Sequence, residues 1–278
     1  MSDKDQSQSK APSPLRPPQR GCRAGDPGSS AGALQILHFE SLDSTNLEAI
    51  RQAKAGAPEG LCIIAREQTA GRGRLERTWQ SPKDAGLYFT LLLRPQNEMS
   101  VWPLLTMMTA VSVCECLMKT CALRADIKWP NDICAAGRKL CGILAETVET
   151  STGPAAIIGI GINLRKDAVS EELRDFATSI EEETGSSPEI ETLIGALIRN
   201  LQERYPLLAS AQGREHILRE WSANSSYAFD RRVRVALASE NFEGTTRGLE
   251  SDGALRVELA SGKIRVVRAG DVTALRAN

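Results

Sequence analysis

Histidine is scarce in this chain of 278 residues: there are two, His38 and His216. The seven cysteines are an odd number and contain no C-x-x-C pair. Together these scarcities argue against a zinc site, which needs closely spaced Cys and His ligands. Cys114 and Cys116 sit in an apolar helix-like run, and Cys62 and Cys141 in strand-like ones. They read as small buried hydrophobes of a reducing cytoplasm. No run of about 18 apolar residues is present, so a membrane span is not expected. The N-terminus lacks an apolar stretch of the secretory kind, and Asp3, Asp5 and Asp26 argue against an organellar leader. Net charge is −1, so nothing global steers the chain to DNA, RNA or an anionic membrane. Any basic site must be local.

What remains is ordinary for a globular protein: 41% apolar and 25% charged residues, enough chain for one or two domains. Residues 1–32 are rich in Ser, Pro, Gly and Gln and lack apolar periodicity, so a disordered tail is expected there. Strands are expected at 34–39, 61–67, 87–93, 125–128, 133–135, 140–148 and 155–164. The pair at 133–135 and 140–148 forms a hairpin around Gly137. Ser44 or Thr45 offers an N-cap to a helix ending near Gly56, with Glu48 spaced as in a capping box. Ser100 is read as the cap of a long apolar helix reaching Cys121, with Pro103 in its first turn. Helical patterns follow at 170–180, 189–209 and 213–222. From Arg232 the period changes to two: Leu255, Val257 and Leu259 alternate with Arg256 and Glu258. The predicted fold is α+β, a mixed β-sheet with helices over 33–224, then a small β-barrel over 225–278.

Five short motifs carry chemistry. Gly71-Arg72-Gly73-Arg74, with Arg77 behind, joins a turn of exposed N–H groups to permanent cations, which suits an anion. On spacing alone it is also a solvated basic loop. Lys128-Trp129-Pro130-Asn131-Asp132 is a turn at a strand end. Its Trp either stacks on a purine or pins the turn from the core. Arg138-Lys139-Leu140-Cys141-Gly142 brings a lysine into a strand beside a glycine, either toward a ligand phosphate or out to solvent. Gly159-Ile160-Gly161-Ile162-Asn163 weakens a strand interior, through a bulge or for close approach of a ligand. It lacks the third glycine and the following helix of the dinucleotide fingerprint. Ser44-Thr45-Asn46 opens the first helix; locally, capping explains it.

In this order and spacing the motifs resemble the biotin protein ligases, densely over 34–164 and more loosely to the end. The resemblance implies a class II synthetase-like catalytic domain followed by an SH3-like barrel. It also implies a ligase that activates biotin with ATP to biotinyl-5′-AMP and transfers it to a lysine of a biotin carboxyl carrier domain. It implies that Ser44, Thr45, Asn46 and Gln68 meet the biotin head group, and that Arg72, Gly73 and Arg74 fold over biotin and adenylate. Lys139 would contact the biotin carboxylate or the α-phosphate. Trp79 would shelter the adenine, with Lys128, Asn131 and Asn163 serving the nucleotide pocket. Gly142, Gly159 and Gly161 would line that pocket through backbone.

Arg72, Arg74, Lys139 and Mg2+ would stabilise charge in the first step, and Asp132 would orient or deprotonate the acceptor amine. Glu76 departs from the family, many of whose members carry glycine there. A lipoate–protein ligase is the nearest alternative, but its R-R-x-S-G-G-G stretch is absent. A biotin-sensing transcriptional repressor would need a winged-helix domain before residue 33, and none is readable, so the monofunctional class is expected. Cytoplasmic location and no nucleic-acid or membrane partner follow as expectations; a homodimer is compatible with them.

Overall fold

Alternation along the strands decides the architecture. In the computed structural model, which describes residues 34–275, seven strands form one sheet: β1 (Gln35–Phe39), β2 (Leu61–Ala65), β3 (Gly86–Leu93), β4 (Asp126–Lys128), β5 (Asp132–Ala135), β6 (Arg138–Thr150) and β7 (Gly153–Asn163). Their spatial order is β1-β2-β3-β7-β6-β5-β4. β1 and β2 run parallel, linked through helix α1 (Thr45–Lys54), and the other neighbours are antiparallel. The expected mixed sheet is therefore present. The tail expected over 1–32 lies outside the described residues.

One face of the sheet carries Phe89, Leu91, Ile143, Ile158, Ile160 and Ile162, buried against helix α2 (Pro103–Cys121). Helices α3 (Ile180–Thr184), α4 (Ile190–Arg204) and α5 (Ala211–Ala223) complete that layer. Each fully buried Leu or Ile contributes roughly 1.5–3 kcal/mol, so this face dominates the apolar stabilisation. The opposite face is covered over part of its area by Ala49 and Ala53 of α1, packed on Leu61, Ile63, Leu92, Ala155 and Ile157. Beyond α1 that face turns to Tyr88, Thr90, Gly142, Gly159 and Gly161. The register sets Tyr88 and Gly142 on either side of Gly161. A sheet face that no helix covers and that carries almost no side chain is a depression.

Past α5 the strands β8 (Phe229–Ala236), β9 (Asn241–Leu249), β10 (Leu255–Glu258), β11 (Ile264–Val267) and β12 (Asp271–Ala274) form an antiparallel sheet, ordered β11-β10-β9-β8-β12. Leu255 and Val257 are buried and alternate with half-exposed Arg256 and Glu258, as the period of two requires. Leu259 falls just beyond the strand.

Two local expectations are corrected. Residues 170–180 are not one helix. Glu171–Leu173 forms a single 3-10 turn, and α3 begins at Ile180. The backbone is diverted because Lys139 N donates to Phe176 O and Thr178 N donates to Lys139 O, both at 2.8 Å. Ser100 does not cap α2; it lies in a 3-10 turn at Met99–Val101, and the helix opens at Pro103, whose missing N–H costs nothing in a first turn. By length and composition the segment Met99–Cys121 could cross a bilayer, although Glu115 and Lys119 interrupt it and most of its residues from Leu104 to Leu117 are buried inside the protein, as in a core helix.

Burial pushes the thiols of Cys62, Cys114 and Cys116 up to about 12 and that of Cys134 to about 11. Cys121 is partly exposed. Alkylation of the native protein at pH 8, mapped by mass spectrometry, should therefore modify Cys121 well before Cys62, Cys114 or Cys116, and denaturant should abolish the difference.

Candidate active site

Glycine builds the floor of the depression and two side chains occupy it. A Cβ added at Gly161 would lie 2.6 Å from Trp79 Cε2, and one at Gly142 would lie 3.0 Å from Trp79 Cζ3. A Cβ at Gly159 would collide with Asn46 Oδ1. The bulge reading of the G-I-G-I-N strand is excluded by its unbroken register with β3 and β6, and the groups that approach its glycines are the side chains of Trp79 and Asn46. Trp79 Nε1 is buried and has no hydrogen-bond partner among the described residues.

The start of α1 forms one wall. Ser44 occupies the N-cap position by its backbone, but its side chain makes no cap hydrogen bond. The capping box is absent because the helix begins one residue earlier than the box requires, so Glu48 falls past the third helical position and binds Arg51 and Gln52 instead. Thr45 and Asn46 instead face inward. Gln68 Oε1 accepts from Thr45 N at 2.8 Å and lies 3.1 Å from Thr45 Oγ1. Gln68 Nε2 donates to Ser81 Oγ at 2.8 Å. Thr90 Oγ1 lies within 2.8 Å of both Thr45 Oγ1 and Asn46 Oδ1, and Asn46 Nδ2 donates to Glu146 Oε2 at 2.8 Å. These bonds fix a set of neutral polar groups before any ligand arrives.

Cations complete the lining. Lys139 Nζ stands 2.6 Å from Asp132 Oδ1 and 5.4 Å from the centre of the Trp79 ring. Arg72 pairs with Glu146 at 3.1 Å. Arg74 Nη1 donates to Asn131 Oδ1 at 3.0 Å, and Asn131 Nδ2 donates to Ile143 O at 2.7 Å. Half-exposed ion pairs of this kind contribute little stability, but they hold the cations in place. Between Arg74 and Arg77 the loop passes through Leu75 and Glu76 at φ 53° and 59°. That is the left-handed region where glycine is at ease, which is the physical content of the departure at Glu76.

Ser44, Thr45, Asn46, Gln68, Arg72, Gly73, Arg74, Trp79, Asn131, Asp132, Lys139, Gly142, Gly159 and Gly161 all line this one cleft. Two expected residues do not. Lys128, on β4 at the sheet edge, is not part of its wall. Asn163 is buried, donates to Thr178 O at 2.9 Å, and lines an adjoining cleft shared with Trp79, Lys139 and Phe176. Trp129 settles the choice left open for its motif: it is 2% exposed and its Nε1 donates to Gly253 O at 3.1 Å, so it pins the turn from the core.

Arg77, the cation noted behind the G-R-G-R motif, also lines the cleft, whereas Glu146, Thr90 and Asp271 were not singled out from the sequence. Thr90 is legible after the fact as a lone polar residue in an apolar strand. Asp271 carries no local signal at all. If the glycine floor is what seats Trp79, Gly161→Ala should cost roughly 1–3 kcal/mol through overpacking. Gly142→Ala, whose contact is looser, should cost less; chemical denaturation of both variants measures the order.

Comparison with known proteins agrees with this geometry. Residues 38–163 match the Biotin/lipoate A/B protein ligase family, and residues 228–273 match the Biotin protein ligase C terminal domain. The chain is 33% identical over 242 residues to the bifunctional ligase/repressor BirA of Bacillus spizizenii, covering 85% of this chain and 73% of that protein. It is 30% identical over 270 residues to the biotin–[acetyl-CoA-carboxylase] ligase of Mycobacterium tuberculosis, covering 94% and 98% of the two chains. Its fold is similar to that of the biotin protein ligase of Aquifex aeolicus in complex with biotin and ATP, with a TM-score of 0.74 and 26% identity over 87% of this chain and 99% of that one. With relatives at least 30% identical over 73% and 98% of their lengths, the chain belongs to the biotin protein ligase family.

Proposed function

We propose that the chain activates biotin with ATP to biotinyl-5′-AMP in this cleft and then transfers biotin to a lysine of a biotin carboxyl carrier domain. One observation carries the reading. One cleft with a glycine floor is lined both by a preset neutral polar set at Ser44, Thr45, Asn46 and Gln68 and by a cationic set at Arg72, Arg74 and Lys139. The first suits an uncharged head group, and the second suits a carboxylate and a phosphate.

In the first step a biotin carboxylate oxygen attacks the α-phosphorus of ATP and pyrophosphate leaves. The carboxylate is already ionised near pH 7, so no base is required. The barrier lies in bringing two anions together, and fixed cations lower it by stabilising charge that grows in the transition state. Lys139 stands nearest the floor, with Arg72 and Arg74 on the loop above it. Among the described residues no group of three acidic, His or Cys side chains is arranged to hold a metal. A Mg2+ ion bound with ATP would be held chiefly by the phosphates and water, with a carboxylate such as Asp132 beside it, which is the manner usual for this ion. It would neutralise phosphate charge.

In the second step the acceptor amine, once deprotonated, attacks the acyl carbon and AMP leaves. Asp132 is assigned to that amine, and its ion pair with Lys139 holds the carboxylate in place. Trp79 is assigned to shelter the adenylate from water. Lipoate is not favoured as a substrate, since the R-R-x-S-G-G-G stretch is absent.

Pyrophosphate exchange should proceed with biotin and not with lipoate, and a carrier domain should become labelled; exchange without biotin, or with lipoate in its place, would overturn the reading. Lys139→Ala should slow exchange about a hundredfold, corresponding to ~3 kcal/mol of transition-state stabilisation, while folding stability changes by under roughly 0.5 kcal/mol. Equal exchange rates in variant and parent would return Lys139 to a structural role.

A further inference from the structure

The loop that carries Arg72 and Arg74 has no apolar anchor of its own. Leu75 at its tip is 70% exposed, and Leu75 and Glu76 both sit in the left-handed region. Its backbone is closed locally by Gly73 N donating to Arg77 O and Arg77 N donating to Arg74 O. What holds it to the rest of the protein comes largely from the C-terminal sheet. Arg77 Nη2 donates to Asp271 Oδ2, Arg74 Nη1 stands 3.7 Å from Asp271 Oδ1, and Arg74 Nη2 donates to Gly270 O at 3.3 Å.

Asp271 is itself well fixed. It is the first residue of β12 and pairs in register with Ala236 of β8. Gly270, at φ 137°, leaves no room for a side chain, since a Cβ there would lie 2.7 Å from Ala236 O. The carboxylate is thus presented from a rigid corner of the second sheet, on the edge of the cleft.

We infer that Asp271 is a positioning residue: by gripping Arg77 and Arg74 together it keeps the arginine loop closed over the cleft and so retains the adenylate until transfer. The inference rests on the adenylate-forming reading above for its chemistry, but not for the grip. Arg77 donates to the carboxylate and Arg74 is drawn to it at 3.7 Å, so loss of the carboxylate charge removes the hold on Arg77 and weakens that on Arg74, at the two ends of the left-handed turn. Asn131 and Gly270 O then remain as the holds on Arg74.

The test uses the full chain and the variants Asp271→Asn, Arg77→Gln, their combination and Asp271→Glu. Two quantities are measured: limited trypsin cleavage after Arg74 without ligands, and the labelling of a bystander protein lacking a carrier domain, divided by the adenylate formed. Asp271→Asn should raise both about tenfold, the scale of one lost charge-assisted hydrogen bond. Arg77→Gln should raise both similarly, the double variant should be no worse than either single one, and Asp271→Glu should stay near the parent. Parent-like cleavage and labelling ratio in Asp271→Asn, or additive effects in the double variant, overturn the inference. If Asp271→Asn folds poorly, Arg77→Gln decides, since that side chain is 65% exposed. If no protein forms adenylate, the functional reading fails while the cleavage arm still decides the grip.

Discussion

Trp79 lies on a patch of sheet face made of paired glycines. Gly161 and Gly142 are directly paired across β7 and β6, so their bare backbones form a continuous floor, and the indole fills the space that a methyl group would claim. Asn46 does the same above Gly159. The cost is a weakened strand interior, since glycine gives up packing and chain entropy there. It is offset on the other face of the same strand by Ile158, Ile160 and Ile162, all buried against the helical layer. One strand therefore does two things by the period of two alone: isoleucines hold the fold together and glycines open the cleft.

The charges of the cleft are organised as pairs. Arg72 faces Glu146, Lys139 faces Asp132, and Arg74 faces Asp271. Each pair is partly solvated, so its net contribution to stability is small. Its consequence is geometric. Three long, rotamer-rich cations are held near one another, and part of the ordering cost of binding an anion has been met before the anion arrives. Glu146 also accepts from Asn46, so the polar wall and the cationic wall share one carboxylate.

The second sheet contributes to the site through few contacts. Trp129 donates to Gly253, Arg74 donates to Gly270, and Arg77 donates to Asp271. The first fixes the K-W-P-N-D turn from behind and the other two reach the edge of the cleft directly. The motif that seemed suited to stacking a purine serves through its neighbours instead: buried Trp129 holds the turn, and Asn131 and Asp132 project from it into the cleft.

Chain order and residue type alone determined a good deal: the strand succession, the apolar face of α2, the hairpin at Gly137, the switch to period two near Arg232, and the motif set that marks the family. These are local properties, legible wherever periodicity or turn chemistry is strong. Tertiary structure decided what local pattern leaves open. Whether Thr45 caps a helix or faces a cleft depends on where the helix begins and on Gln68, which is distant in sequence. Residues 170–180 carry a helical pattern, yet backbone bonds to Lys139 outbid it. Lys128 and Asn131 are neighbours in one motif, but strand pairing sends only Asn131 to the cleft wall. Asp271 meets Arg77 across 194 residues of chain. No window of sequence contains such a pair, because the contact exists only once two sheets, each formed by its own local pattern, have packed together.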